Sequence, residues 1–524
     1  MTRDLPNLPR ITDYVAFHAR HQPGAEALVL DHERITYGEL EGRVDRLAVS
    51  LVAAGVGKGD RVATLCTPSP DYMVAFLATV SIGAIWVGLN PKYARDELAY
   101  VLHDSRPRVL LTRTRIGARD YADDLAVLVA GCSSLETVVT LAGDPAIPGA
   151  QALSAFLECG ERAVDACRRA RAEVDAGDAC LIVYTSGSTG RPKGAVLHHG
   201  GIARFSVEQH RLWPLSTVRV LNYLPVNHVG CVVDVSCPAL AHGGCIVFLE
   251  KFDAARSLEL LQRERITFWG SVPSAFQMQL ALPTFGHYDL SAVELIVWEG
   301  AAMPEPMIRQ LRELCPRLAT NYGQTESTSA MTFLPPTDDI DLLGNTVGEP
   351  FPGVDIRLIR SDGEEAETGE EGEVQARSYY NMLGYWNRPE ATQEVLLEGG
   401  WLRTGDVAIR RPDGRFRLVG RLKEMFKSGG YNVYPREIEA ALEEHPAVDI
   451  AAVVGIPDPL WGEVGVAYVI PKSPVEAGAL IAYARERLAN YKVPKRFELV
   501  DSLPLLPIGK VDKLTLRRLA ADLP

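Results

Sequence analysis

The chain has 524 residues, of which 67 are acidic and 54 basic, and its formal net charge is −13 at pH 7; 47% of it is hydrophobic and 23% charged. That length exceeds a single hydrophobic core and predicts at least two domains, while the acidic balance argues against broad binding to nucleic acid or an anionic membrane, so an anionic ligand must be held by a local site. Nine cysteines are scattered without a disulfide-like framework and the start, "MTRDLPNLPR", carries no apolar signal segment, which points to a reducing cytoplasm.

Along the chain, strand and helix patterns alternate. An "ALVL" run from Ala27 reads as a strand. Thr36 and Glu39 have capping-box spacing, and Leu40, Val44, Leu47 and Leu51 follow at helical intervals up to Gly55, before a strand over 61–65. The stretch 72–89, "YMVAFLATVSIGAIWVGL", is uncharged over 18 residues, the lower limit for a membrane-spanning helix. Its Thr79, Ser81 and Gly83, and the stop at Asn90-Pro91, fit a buried helix running into a strand instead. Further strand-like runs are "RVLL" from Arg108, "CIVFL" from Cys245 and "ELIVW" from Glu294, so repeated βα units predict a largely parallel sheet covered by helices. After about Gly344 the pattern turns to strands joined at Asp362-Gly363, a smaller β-rich subdomain. Past Gly420 a short charged joint leads into a strand, a Gly-Gly loop and a helix with Pro435 in its first turn, the start of a compact α+β unit.

Two clusters of residues raise questions of chemistry. His228, Cys231, Cys237, His242 and Cys245 fall within eighteen residues, but Val232, Val233, Val235, Leu240, Ile246 and Val247 are interleaved with them, which favours small core cysteines over a zinc site. More informative is "YTSGSTGRPKG", 184–194, directly after the apolar run 180–183. A loop rich in Ser, Thr and Gly offers backbone N–H groups and hydroxyls at close approach, as a polyphosphate cradle requires, although such clusters also make ordinary turns. Its spacing is not that of a P-loop, because Lys193 follows Gly190 by three residues with Pro192 between.

The segments "YTSGSTGRPKGAVL", "LPVNHVG", "NYGQTES", "VGEPFPG", "YWNRPEAT", "WLRTGDVA", "GRLKEMFKSGGYNVYPREIE" and "PIGKVDK" follow one another in an order that resembles the adenylate-forming superfamily of acyl- and aryl-CoA synthetases, luciferases and adenylation domains. The resemblance spans nearly the whole chain and is strongest to an acyl-CoA synthetase. It implies an α/β fold: a large N-terminal domain of βα-layered sheets with a β-rich subdomain over 1–420, a hinge over 421–424, and a small, mobile α+β domain over 425–524. The implied reaction converts a carboxylic acid to acyl-AMP with release of pyrophosphate and then to acyl-CoA, with ATP, Mg²⁺ and coenzyme A taking part. Its central obstacle is the repulsion between carboxylate and phosphates, which positioned cations and donors must offset.

By the same resemblance, Thr185, Ser186, Gly187, Ser188, Thr189, Gly190 and Lys193 would hold the leaving phosphates. Thr325 would contact the α-phosphate and Glu326 would serve Mg²⁺, a hard cation that prefers oxygen ligands. Asp406 resembles the ribose carboxylate, with Arg421 nearby, while Gly300, Ala301, Ala302, Asn321, Tyr322 and Gly323 would line the adenine side. Lys510 resembles the lysine that bridges substrate carboxylate and α-phosphate, and its neighbour Lys513 is expected to be solvated. After adenylation the C-terminal domain would rotate about Lys423, bringing Ser428, Gly429 and Gly430 to a pantetheine tunnel and Trp461 to the CoA adenine.

For the acid, His228 matches a gating histidine, and Val229, Val232, Trp298, Gly323, Ser327 and Met331 suggest a mainly apolar pocket of modest size. Asn227, where an aromatic residue is common, and Glu299, where a small one is usual, depart from the pattern. Three functions stay open: an acid–thiol ligase, an adenylating enzyme serving a separate carrier protein or an amine, and a nucleotide-binding sensor. No nucleic acid or membrane span is expected, and the chain is read as a monomer or homodimer.

Overall fold

A computed structural model describes residues 5–141, 147–158, 160, 163–185, 191–505 and 511–521. The helix Tyr37–Ala53 starts from the expected reciprocal cap: Thr36 accepts from the Glu39 N–H, and the Glu39 carboxylate accepts from the Thr36 N–H at 2.8 Å. Leu40, Val44, Leu47 and Leu51 form its buried stripe. The apolar stretch 72–89 divides as its small residues predict. Helix Pro70–Ser81 ends in a turn at Gly83, whose φ is +76°, and strand Ile85–Leu89 follows, buried throughout. No helix among the described residues is long and apolar enough to cross a membrane.

Two large sheets organise the N-terminal part. Among the described residues, one has eight strands, in the order Gly384–Tyr385, Lys193–His198, Ala179–Thr185, Ile85–Leu89, Arg61–Leu65, Val109–Thr112, Thr137–Thr140 and Gln151–Ala152. The other has nine and is parallel through Leu318–Gly323, Leu295–Trp298, Phe268–Ser271, Arg219–Asn222, Cys245–Phe248 and Glu26–Leu30. One apolar cluster joins their inner faces, Leu28 and Val297 on one sheet with Val62 and Leu181 on the other, through helices that include Pro70–Ser81 and His199–Leu212. Separate clusters bury the outer faces under helices such as Glu305–Leu314 and Arg95–Ser105. Helix and sheet layers therefore alternate, each strand row being buried on both sides.

The change of character after Gly344 corresponds to an antiparallel four-stranded sheet, Val354–Ile359, Glu371–Ser378, Trp401–Arg410 and Phe416–Arg421. A further, mixed sheet follows the turn at 422–425; it is built on the long antiparallel pair Val448–Asp458 and Gly462–Pro471, with Arg496–Leu499 added in parallel. Helices Pro435–Glu443 and Ala477–Arg487 cover one of its faces, and helix Lys513–Ala521 covers the other.

Lys513 departs from expectation. Its ammonium lies 2.6 Å from Glu424 and 2.9 Å from Glu439 and is largely shielded from solvent. Burial alone would lower its pKa, but the two carboxylates outweigh that and raise it. Lys513 therefore ties the turn after Arg421 to two helices of the C-terminal part, and it is not a solvated neighbour. Replacing Lys513 with Ala leaves the buried Glu439 with Arg436 as its nearest cation, at 3.8 Å. The expected cost is roughly 1–3 kcal/mol of stability, read as an earlier thermal transition in calorimetry; an unchanged transition contradicts this account.

Candidate active site

The C-terminal ends of parallel strands from both sheets converge on one region, the place where open α/β sheets bind ligands. Thr185 ends strand Ala179–Thr185 and is paired in register with Lys193, the first residue of the return strand. Glu326 stands just beyond strand Leu318–Gly323 of the other sheet, in a single 3₁₀ turn with the buried Thr325. Its Oε1 is 3.5 Å from the Thr185 hydroxyl and accepts a 2.7 Å hydrogen bond from the Tyr385 hydroxyl. The Lys193 ammonium lies 5.2 Å from the centre of the Tyr385 ring. Ser186, Gly187, Ser188, Thr189, Gly190 and Lys510 lie outside the described residues.

Asp406 is 5% exposed, and both of its oxygens are engaged. Oδ2 accepts from the Tyr322 hydroxyl at 2.8 Å, and Oδ1 pairs with Arg421 Nε at 2.9 Å. The pairing follows from strand register, since Asp406 and Arg421 are cross-strand partners. Asp406 raises the Arg421 pKa; burial, and after it Asp406, raises that of Tyr322. An acceptor-only carboxylate is suited by type to ligand hydroxyls. Gly300, Ala301 and Ala302 are exposed, as is Gly323. A Cβ on Gly323 would collide with the Ser329 carbonyl, so the close return of strand Ala330–Phe333 requires glycine there.

On the acid side, His228 Nδ1 accepts from the Gly230 N–H at 3.0 Å, which puts the proton of the neutral ring on Nε2 and makes that nitrogen a donor. Glu299 approaches the same spot: a Cβ on Gly230 would stand 3.1 Å from His228 Nδ1 and 3.8 Å from Glu299 Oε1. Gly88 makes room for the preceding turn, since a Cβ there would lie 2.9 Å from Asn227 Cα. The Asn227 amide is 3.5 Å from the Tyr93 hydroxyl, and its Oδ1 has no hydrogen-bond partner among the described residues.

Val229, Val232 and Met331 share the cluster between the sheets, near the buried Ser327. Trp298 is not brought to them. Alternation along Leu295–Trp298 turns it to the outer face, where it packs in the cluster that includes Ile308 and Leu311.

The C-terminal candidates form their own group. Ser428 is buried, and Gly429 and Gly430 make an exposed turn with φ of +59° and +85°. The Gly429 N–H donates to the Trp461 carbonyl at 2.8 Å, and a Cβ on Gly429 would press on the indole at 3.0 Å. Lys495 stands 5.1 Å from the Trp461 ring centre. Lys423 is exposed in the turn between strands Phe416–Arg421 and Phe426–Ser428.

Sequence reasoning missed a π-helix, Gly230–Ser236, within the valine- and cysteine-rich run. It carries Asp234, buried below the apolar cluster and hydrogen-bonded by Ser329. Burial pushes the Asp234 pKa up to about 7, against the opposing Ser329 hydrogen bond. Between its ordinary value and 7 the unfolded chain holds fewer protons at this group than the folded one, so its contribution to stability declines as pH rises through that window. Asp234→Asn should accordingly gain in melting temperature relative to the parent as pH moves from 5 to 8. A constant difference across that range would refute the burial argument.

Residues 15–386 match the family of AMP-binding enzymes, and residues 437–510 match the AMP-binding enzyme C-terminal domain. The chain is 38% identical over 505 residues to a feruloyl-CoA synthase of Amycolatopsis sp, covering 95% of this chain and 97% of the relative. It is 35% identical over 514 residues to an indoleacetate–CoA ligase of Aromatoleum aromaticum, covering 98% of each. Among solved structures it superposes on an amide bond synthetase from Marinactinospora thermotolerans with a TM-score of 0.83 at 29% identity, over 97% of this chain and 99% of that one. With both family regions present in order and full-length relatives above 30% identity, the chain belongs to the AMP-binding enzymes, the adenylate-forming superfamily.

Proposed function

We propose that the protein is an AMP-forming acid–thiol ligase that activates an aromatic carboxylic acid and transfers it to coenzyme A. The observation that carries this reading is the junction of Thr185, Lys193 and Glu326 at facing strand ends, beside the paired Asp406. The two curated relatives are named for feruloyl and indoleacetate thioesters, and the uncharged lining of Val229, Val232 and Met331 suits an aryl group.

Each residue then has a task. Asp406, oriented by Tyr322 and Arg421, accepts the ribose hydroxyls. Lys193, together with residues 186–190, offsets the charge of the departing phosphates, and Thr325 donates to the α-phosphate. No cluster of three or more His, Cys, Asp or Glu side chains among the described residues could hold a metal by itself, and a single carboxylate with a nearby hydroxyl fits Mg²⁺ carried on nucleotide phosphates. When bound, Mg²⁺ neutralises phosphate charge; Glu326 is the residue that would hold it. His228, with its donor at Nε2, faces the acid carboxylate, and Glu299 lies by the same turn at Gly230. Lys510 bridges the reacting anions in the first step. The turn at Lys423 then swings the C-terminal domain so that Gly429, Gly430 and Trp461 present the CoA thiol. The likeness to an amide bond synthetase keeps an amine as the second candidate acceptor. The buried free thiols among the described cysteines suit a reducing compartment.

Pyrophosphate release across aryl, medium-chain, dicarboxylic and amino acids, each with CoA, with an amine or with neither, tests the reading. Aryl acids should lead dicarboxylic ones by at least about tenfold in kcat/KM, equivalent to ~1.4 kcal/mol, and thioester should form only with CoA; amide without CoA would favour the second acceptor, and no acid-dependent release would mean a nucleotide sensor. Lys510→Ala should slow adenylation by roughly 10²–10³-fold while sparing transfer from preformed acyl-adenylate. The surface residue Lys472, 3.7 Å from Asp449, supplies the control; equal loss in both half-reactions would contradict domain rotation.

A further inference from the structure

We propose that Tyr385 is a positioning residue that orients Glu326 for the metal–nucleotide complex and couples it to Lys193. This rests on the reading of Glu326 as the carboxylate that serves Mg²⁺. The Tyr385 hydroxyl donates to Glu326 Oε1 at 2.7 Å, on the same oxygen that the Thr185 hydroxyl approaches at 3.5 Å. An ordinary phenol titrates at about 10, so at neutral pH the Tyr385 hydroxyl keeps its proton and donates to the carboxylate. A carboxylate with one oxygen engaged from that side has its terminal torsion set, and it turns Oε2 away from both donors. Outer partners of this kind are what hold a metal ligand in its binding orientation.

The ring has a second use. Lys193 lies 5.2 Å from its centre, within cation–π range. One side chain therefore neighbours both charged groups assigned to the metal–nucleotide phosphates, a carboxylate just beyond a strand of the nine-stranded sheet and an ammonium from the eight-stranded one.

The placement of Tyr385 does not depend on its own hydroxyl. Its backbone belongs to the edge strand Gly384–Tyr385, paired with Lys193–His198, and its N–H donates to Thr392 Oγ1 at 2.9 Å. The adjacent Trp386 donates from Nε1 to the Asp104 carbonyl at 3.1 Å. The Asp104 carboxylate takes Arg388 at 2.7 Å and the Tyr184 hydroxyl at 2.8 Å. Phe at position 385 thus removes one hydrogen bond inside a segment that stays anchored.

The test is calorimetric ATP binding with Mg²⁺ and with EDTA, for the parent chain, Tyr385→Phe, Tyr385→Leu, Glu326→Gln and the Tyr385→Phe/Glu326→Gln double variant, with melting curves to verify folding. Tyr385→Phe should reduce the Mg²⁺-dependent gain in affinity by about 10–100-fold and leave binding in EDTA nearly unchanged. The double variant should bind no more weakly than Glu326→Gln alone, since the hydroxyl acts through that carboxylate. Tyr385→Leu should in addition weaken binding in EDTA, because Lys193 loses its aromatic support. A parent-like Mg²⁺ gain in Tyr385→Phe, with a reduced gain in Glu326→Gln, would overturn the role of Tyr385 alone. A parent-like gain in Glu326→Gln would overturn both it and the reading of Glu326 beneath it. Binding in EDTA that is equal for the Phe and Leu variants would overturn the coupling to Lys193.

Discussion

The structure turns on the meeting of two sheets at Glu326. Its side chain comes from beyond the strand Leu318–Gly323, and the Thr185 and Tyr385 hydroxyls near its Oε1 come from the other sheet. Its backbone carbonyl also crosses over, accepting from the Met382 N–H at 2.8 Å. The layered core between the sheets sets how far apart these groups stand, and because that core is close-packed the spacing resists small changes. Strand ends carry the chemistry here because their backbones are fixed by the ladder up to the last residue, while the side chains beyond them face open space.

A chain of net charge −13 that handles polyanions needs local compensation. Near the site it is built from pairs. Asp406 is paired in place with Arg421 and hydrogen-bonded by Tyr322, so its charge is offset although it is only 5% exposed. Arg421 in turn keeps an exposed face. On the proposed reading, this arrangement lets a buried carboxylate serve a sugar without repelling the nucleotide phosphates, a balance that an unpaired Asp in the same place would lack.

Much of this was legible in the sequence, where the signal was local. The Thr36–Glu39 cap, the helix–strand division of 72–89, the strands over 61–65 and 294–298, the apolar run 180–183, which continues as strand through Thr185 into the expected loop, and the shift to antiparallel strands after Gly344 rest on period and punctuation that neighbouring residues supply. What escaped depends on distant partners. Nothing near Lys513 in sequence announces Glu424 and Glu439, and the direction of Trp298 depends on which face its strand turns inward. Tyr385 was visible only as part of "YWNRPEAT", because its partner Glu326 lies 59 residues away. The π-helix leaves no periodic trace in a run that is apolar on every side.

On the proposed reading, the joint between the domains lets the two half-reactions share one nucleotide site. Arg421 is held by strand register opposite Asp406, and the next residue, Leu422, still donates its N–H to the Gly405 carbonyl at 2.9 Å. Lys423 is exposed, and Glu424 already reaches across to Lys513 in the terminal helix. Glu424 and Met425 donate their N–H groups back to the Arg421 carbonyl, at 3.1 and 3.0 Å, so the changeover is made within the turn at 422–425. On the proposed reading, rotation at Lys423 moves everything bound to Lys513 and leaves everything bound to Asp406 in place. The ribose anchor then need not be released when the acid exchanges phosphate for thiol, because the pivot begins immediately after the residue that fixes the anchor.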